Sequence, residues 1–300
     1  MRTGDFSLDL KQVLGAQRFF TIHFPYKGIG FMSIITISRG SYSRGKEVAE
    51  GVARRLGYDC ISRDILLDTS ELFNIPEIKL ERAIHDAPSI LDRFGVGKER
   101  YVALIRTALL KVLREDNLVY HGLAGHFFLQ GVSHVLKVRI IADIEDRVNL
   151  EMQRKSISEK EARRMLLKDD DERNKWSQFL YGIHTTDSQL YDLVIHTRKI
   201  SVKDAVDIIC HTVSMPQFQA TPESQQAMEN LALSAEVKAA LIDLNPAVEV
   251  SAENGIVHIK ARISETLQQD MENTLKNHAW AVRGVKEVHM EVAPISFYED

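Results

Sequence analysis

SIITISRGSYSRGKEVAEGVARRLG, residues 33–57, carries a strand, a glycine loop and a helix in immediate succession. Ser33 to Ser38 is a short run rich in β-branched residues, as a strand buried on both faces should be. The polar loop RGSYSRGK follows. From Glu47 onward, Val48, Val52, Ala53 and Leu56 recur at helical spacing, and Gly57 supplies the stop. Strand, glycine loop and helix in this order open a doubly wound α/β domain.

Within the loop, Gly40, four residues, Gly45 and Lys46 have the Walker A spacing. Backbone N–H groups of such a loop wrap a polyphosphate, and glycine allows the close approach. The following helix turns its positive dipole end to the same anion. Lys46 would place a mobile cation between the outer phosphates. The hydroxyl residue usual after the lysine, a magnesium ligand, is here Glu47. Ser41 and Ser43 are the hydroxyls left to reach a phosphate-bound magnesium ion. Spacing alone does not choose between them; Ser43 is the expected contact.

Outward from this loop, strands alternate with helices, which predicts a parallel sheet. Residues 63–86 read as helices broken at Pro76, and Lys98 to Glu115 as a helix with Tyr101, Leu104, Ile105, Ala108, Leu109 and Val112 on one side. NLVYHG, VLKVRIIA and YDLVIHT read as three further strands. Asp143 is the expected N-cap of a helix to Lys155. Ser158 with Glu161 fits a capping box opening a second helix to Leu180. Ser201 caps a further helix bearing Val202, Ala205, Val206 and Ile209 on its apolar side.

At Met215 the pattern changes. Residues 215–230 hold Pro216, Pro222 and several glutamines, and read as a linker. Beyond it lies a compact α+β unit, 231–293: a helix, the strand VEVSA, an Asn254-Gly255 turn, the strand IVHIKARI, a helix from Glu265 to His278 and the strand KEVHMEV. Asn-Gly between alternating strands is a hairpin signal. Residues 1–31 form an N-terminal extension interrupted by charges, with Met32 as an alternative start; 294–300 form a tail.

A net charge of −4, from 38 basic and 42 acidic residues, argues against a general nucleic-acid coat. No apolar run is long enough to span a bilayer. Two distant cysteines, Cys60 and Cys210, suggest neither a zinc knuckle nor a redox pair, and reduced core thiols fit a cytoplasmic protein. His121, His126 and His134 lack the spacing of a ligand pair on one helix.

The row ITISRGSYSRGKEVAEGVARRLGYDCISRDIL resembles the start of the cytidylate-kinase-like proteins. The resemblance resumes at VLKVRIIADIEDRVNLEMQRKSISEKEARRMLLKDDDERNKWSQFLYG and continues through LYDLVIHTRKISVKDAVDII. It implies a P-loop kinase fold over 32–214, a parallel sheet with a helical lid, binding ATP and Mg2+. Arg39, Gly40, Ser41, Ser43, Arg44, Gly45, Lys46 and Glu47 would then hold the donor. Arg147 and Arg154 match the family's lid arginines, and Asp170 or Asp171 with Arg173 an Asp-x-x-Arg element. Lys46, Arg147, Arg154 and Arg173 are the implied catalytic residues. Arg63, Asp64, Gly122 and Asp170 are those implied for the acceptor.

Three positions depart from the family. Tyr42 and Arg44 stand where glycines are usual, and Leu123 replaces an arginine in the Gly122-Leu123-Ala124-Gly125 row. The C-terminal unit resembles a BON domain through Val237, Leu241, the Asn254-Gly255 turn with Val257, and Gly284-Val285. That implies binding of a protein or lipid ligand, and leaves homo-oligomerisation open.

Two functions follow. One is a transferase moving phosphoryl from ATP to a nucleoside monophosphate, CMP or dCMP in type, or a related small acceptor. The other is a catalytically weak nucleotide sensor signalling through the C-terminal unit. Taken singly, each lid arginine also suits an exposed helix face paired with Glu151, Glu159 or Glu161.

Overall fold

The computed structural model of the 300-residue chain describes residues 33–40, 43–62, 98–122, 125–264 and 268–294. The N-terminal extension, the helices expected over 63–86 and the tail beyond residue 294 lie outside them.

β1 (Ile34–Arg39) runs into the loop, and α1 (Gly45–Leu56) follows, closed by Gly57 at φ 69°. A strand not foreseen, β2 (Asp59–Ser62), comes next. It pairs with β3 at the sheet edge, half exposed, so it shows no continuous apolar run. α2 (Lys98–Leu113), β3 (Leu118–His121), the single-turn α3 (Gly125–Phe128) and β4 (Val135–Ile141) continue the chain. α4 (Ile144–Lys155) and α5 (Glu159–Tyr181) form the helical pair, followed by β5 (Leu193–His196) and α6 (Val202–Val213).

The five strands lie in the order β2-β3-β1-β4-β5, every pair parallel. Alternation along β1 serves two cores. Ile34 faces α2 and α3, with Leu109, Leu113 and Phe128. Ile35 and Ile37 face α1 and α6, with Val48, Val52 and Ile209. The two helices on that second face are also tied by the Arg55–Asp207 ion pair. Val148, Ala162 and Leu166 give α4 and α5 a small core of their own.

Two caps differ from expectation. Asp143 occupies the N-cap position of α4 and its carbonyl accepts the Arg147 N–H, but its side chain does not cap the helix; the carboxylate instead pairs with His196 at 3.1 Å and Arg198 at 3.0 Å. Ser158 Oγ accepts from the Glu161 N–H at 3.3 Å, the first half of the expected box.

The larger correction concerns residues 215–230. Where a linker was expected, a 3-10 turn (Pro216–Phe218) leads into α7 (Pro222–Leu241), with Pro222 in its first turn and a Thr221/Ser224 capping box. Met228, Ala232 and Ala235 of α7 are buried against α2. Val237 and Leu241, further along the same helix, belong to the C-terminal core. Thr107 Oγ1 of α2 lies 2.9 Å from the Ala235 carbonyl. At the start of α7, buried His134 bridges Ser224 Oγ at 2.7 Å and Asp116 at 3.0 Å. These three side chains have the order of a nucleophilic triad, but they are buried at the sheet end opposite the loop, where they pin the helix.

The C-terminal sheet is β6 (Glu249–Glu253), β7 (Ile256–Ile263) and β8 (Glu287–Pro294), with α8 (Gln268–Trp280) between β7 and β8. β6 and β7 are antiparallel, β7 and β8 parallel. The hairpin forms at Asn254 (φ 54°) and Gly255 (φ 90°), as the primed turn requires. None of the described helices is long and apolar enough to cross a membrane.

Candidate functional site

The loop between β1 and α1 is stitched to β4. The Gly40 N–H donates to the Ile140 carbonyl at 3.3 Å. Ser43 Oγ lies 3.1 Å from the carbonyl oxygens of both Gly40 and Ile140 and shares its proton between them. Ser43 is fully buried. It shapes the loop and presents no oxygen to solvent, so the expected magnesium contact does not fit it.

Arg44 begins the helix at φ 61°, the left-handed region that glycine enters freely and an L-residue enters at a cost. Its guanidinium then pairs with Glu47 at 2.8 Å. Gly45 answers a different need: a Cβ there would come within 2.7 Å of the Arg39 side chain, which lies across the first turn. Lys46 is 63% exposed and its Nζ stands 3.7 Å from Glu50, one turn along the helix.

The cation that the fold plants at the loop comes from α4. Arg147 Nη1 lies 4.0 Å from where a Cβ on Gly40 would sit. Its Nη2 donates to Asp170 of α5 at 2.8 Å. The side chain is 9% exposed, and Nε has no hydrogen-bond partner. A buried, incompletely satisfied guanidinium beside loop amides suits an anion. Arg173, also on α5, acts electrostatically on Asp169, whose carboxyl burial pushes up while Arg173 opposes the shift.

Arg147, Asp170 and the loop are therefore brought together. Arg154 is not: it lies seven residues further, about 10 Å along α4, and pairs with the buried Glu151 at 3.1 Å. Gly122 and Gly125 are packing requirements, since a Cβ on either would come within 2.5 Å of Tyr120. Ser41, Arg63 and Asp64, with Tyr42 and Leu123, lie outside the described residues.

A polar wall on the sheet face opposite α1 escaped the sequence reading. It holds Thr36, Ser38, Arg139, His126 and Tyr191. Arg139 Nη1 donates to Tyr191 Oη at 3.2 Å, and its guanidinium carbon lies 5.5 Å from the ring centre. Tyr191 Oη donates to the Thr185 carbonyl at 2.9 Å and lies 3.2 Å from Ser38 Oγ. The His126 ring lies 4.7 Å from that of Tyr191. Burial, then Arg139 and Lys137, push the His126 pKa down to about 3, so it is neutral at physiological pH. A signal was present: Lys137 and Arg139 interrupt the apolar run of β4 at alternate positions, on one face. Among the described residues no group of three His, Cys, Asp or Glu could hold a metal.

The sequence model of the cytidylate kinase-like family matches residues 34–199. A cytidylate kinase from Sulfolobus acidocaldarius is 27% identical over 184 residues, 60% of this chain and 93% of that protein. Among solved structures, an uncharacterized protein from Eubacterium ventriosum is 21% identical, with a TM-score of 0.48 over 60% of this chain and 98% of its own. Shikimate kinase from Bacteroides thetaiotaomicron is 13% identical, with a TM-score of 0.38 over 61% and 99%.

Proposed function

The chain belongs to the cytidylate kinase-like family, a family of nucleotide-binding kinases, and from that membership we propose that it transfers a phosphoryl group from ATP to a nucleoside monophosphate, with CMP and dCMP the first acceptors to try. The observation that carries this reading is Arg147: a lid-helix guanidinium beside Gly40, with a buried Nε awaiting an acceptor.

Bound ATP with magnesium would supply the phosphoryl group and neutralise part of its charge. The work left to the chain is positioning and positive charge. The loop amides and the first turn of α1 would hold the phosphates, and Lys46, long and exposed, would swing from Glu50 onto them. Arg147, tethered by Asp170, would bear on the transferring group. Glu47 is the carboxylate at the loop available to a phosphate-bound magnesium, with Ser43 turned inward. Movement of α4 and α5 as one body, on their shared core, would close the lid and exclude water. Arg154 and Arg173 would join the site only on closure. The same reading places the protein in the cytoplasm, where ATP is available, and makes 32–214 the kinase unit. For 231–293 the BON-like pattern supports a protein or lipid ligand.

The test is ADP formation from ATP and magnesium against a panel of nucleoside monophosphates. We expect acceptor-dependent turnover, reduced roughly 100-fold or more in Arg147→Met and in Lys46→Ala. The exposed, Glu50-paired Lys46 favours a second reading, the nucleotide sensor. ATP binding that depends on Arg147, without turnover on any acceptor, would select it.

A further inference from the structure

Arg139 is the least explained charge beside the loop. β4 pairs with β1 so that Ser38 faces Arg139 and Arg39 faces Ile140, which sets Arg139 one step behind the loop. Its side chain is half-buried on the face opposite α1. Among the described residues it makes a single hydrogen bond, to Tyr191, and no ion pair. Tyr191 is itself fixed by Thr185 and Ser38, so it orients the guanidinium without neutralising it. A partly buried cation without a carboxylate is costly unless an anion arrives. Two further polar atoms on this wall, Thr36 Oγ1 and His126 Nε2, are buried without partners. Native structures keep few such atoms, and those kept commonly meet a ligand or water.

We propose that Arg139 binds the phosphate monoester of the acceptor mononucleotide, in place of the arginine absent from the Gly122–Gly125 row, with Tyr191 as its positioning residue. Thr36 and His126 would take the acceptor's uncharged groups. This rests on the kinase reading and names the acceptor half of that site. An oxygen of the monoester held by Arg139 attacks the terminal phosphorus of ATP. The new P–O bond forms as the bond to the bridging oxygen breaks, and ADP leaves with that electron pair. The geometry suits this, because the two phosphates must meet over the end of β1, between Arg139 on one face and Arg147 at the loop.

The experiment is steady-state kinetics with each substrate varied in turn. Arg139→Met should raise the acceptor KM roughly 10- to 100-fold, the effect of losing a charge-assisted contact, and leave the ATP KM within about twofold. Arg139→Lys should fall between. Tyr191→Phe should raise the acceptor KM several-fold with ATP unaffected, which a purely structural role would not do. Should Arg139→Met fail to fold, the latter two variants carry the test. Unchanged acceptor KM, or an ATP KM rising in step, overturns the assignment and leaves the kinase standing. If the wild type turns over no monophosphate, calorimetric binding of CMP decides. Binding lost in the Arg139 variants retains this site and removes the kinase reading; binding unaffected by them, or absent, overturns this assignment.

Discussion

Two residues carry costs that make them sensitive probes. Arg44 holds a left-handed backbone for which its Glu47 pair is a weak return, since exposed pairs contribute about 0–1 kcal/mol. Arg44→Gly should therefore raise stability by about 0.5–1 kcal/mol, read as a higher urea midpoint at unchanged slope. A lower midpoint would mean that the ion pair outweighs the backbone strain. His126 is the second probe. Its folded pKa, about 3, lies below the ordinary 6.5, so protons bind the unfolded chain first as pH falls. Its contribution is fully present above 6.5 and is lost on descending toward 3. By about pH 5 the loss should reach about 2 kcal/mol, and His126→Asn should flatten that part of the stability–pH curve.

At the scale of elements, α7 and the α4–α5 pair decide how the molecule is assembled. The first half of α7, residues 222–230, hid in the sequence because it buries only Ser224 and Met228, while its first turns carry glutamines to solvent. Composition therefore suggested a linker, while the cap and the packing make a helix. Thr221→Ala should cost about 1 kcal/mol through the lost cap. Met228→Ala should cost about 2–4 kcal/mol through a cavity against α2. Denaturant unfolding would check both, and a segment that behaved as a linker would show neither loss. The lid pair, by contrast, was legible as two helices, with boundaries close to those observed. Which of its arginines reaches the loop was not legible, because Arg147 and Arg154 are alike in the pattern and differ only in distance along α4.

For the whole molecule, α7 contributes to both the parallel-sheet core and the C-terminal core. The two units should therefore unfold together, as a single calorimetric transition that Met228→Ala shifts without splitting. Two resolved transitions would mean that the shared helix breaks between its halves. Local rules determined a good deal of this protein. The β-branched run, the Gly40–Lys46 spacing and the helical period from Val48 to Leu56 set the strand, loop and helix. Asn254-Gly255 set the hairpin, because its conformational demand lies within two residues. Edge strand β2, too short and exposed for a periodic signal, became visible only beside β3. The candidate site was decided later still. Arg147 meets Gly40, and Arg139 meets Tyr191, because the order β3-β1-β4-β5 and the fold of α4 against α5 carry them there. Periodicity records which face of an element a side chain takes; which distant side chain waits on that face is set by how the elements pack.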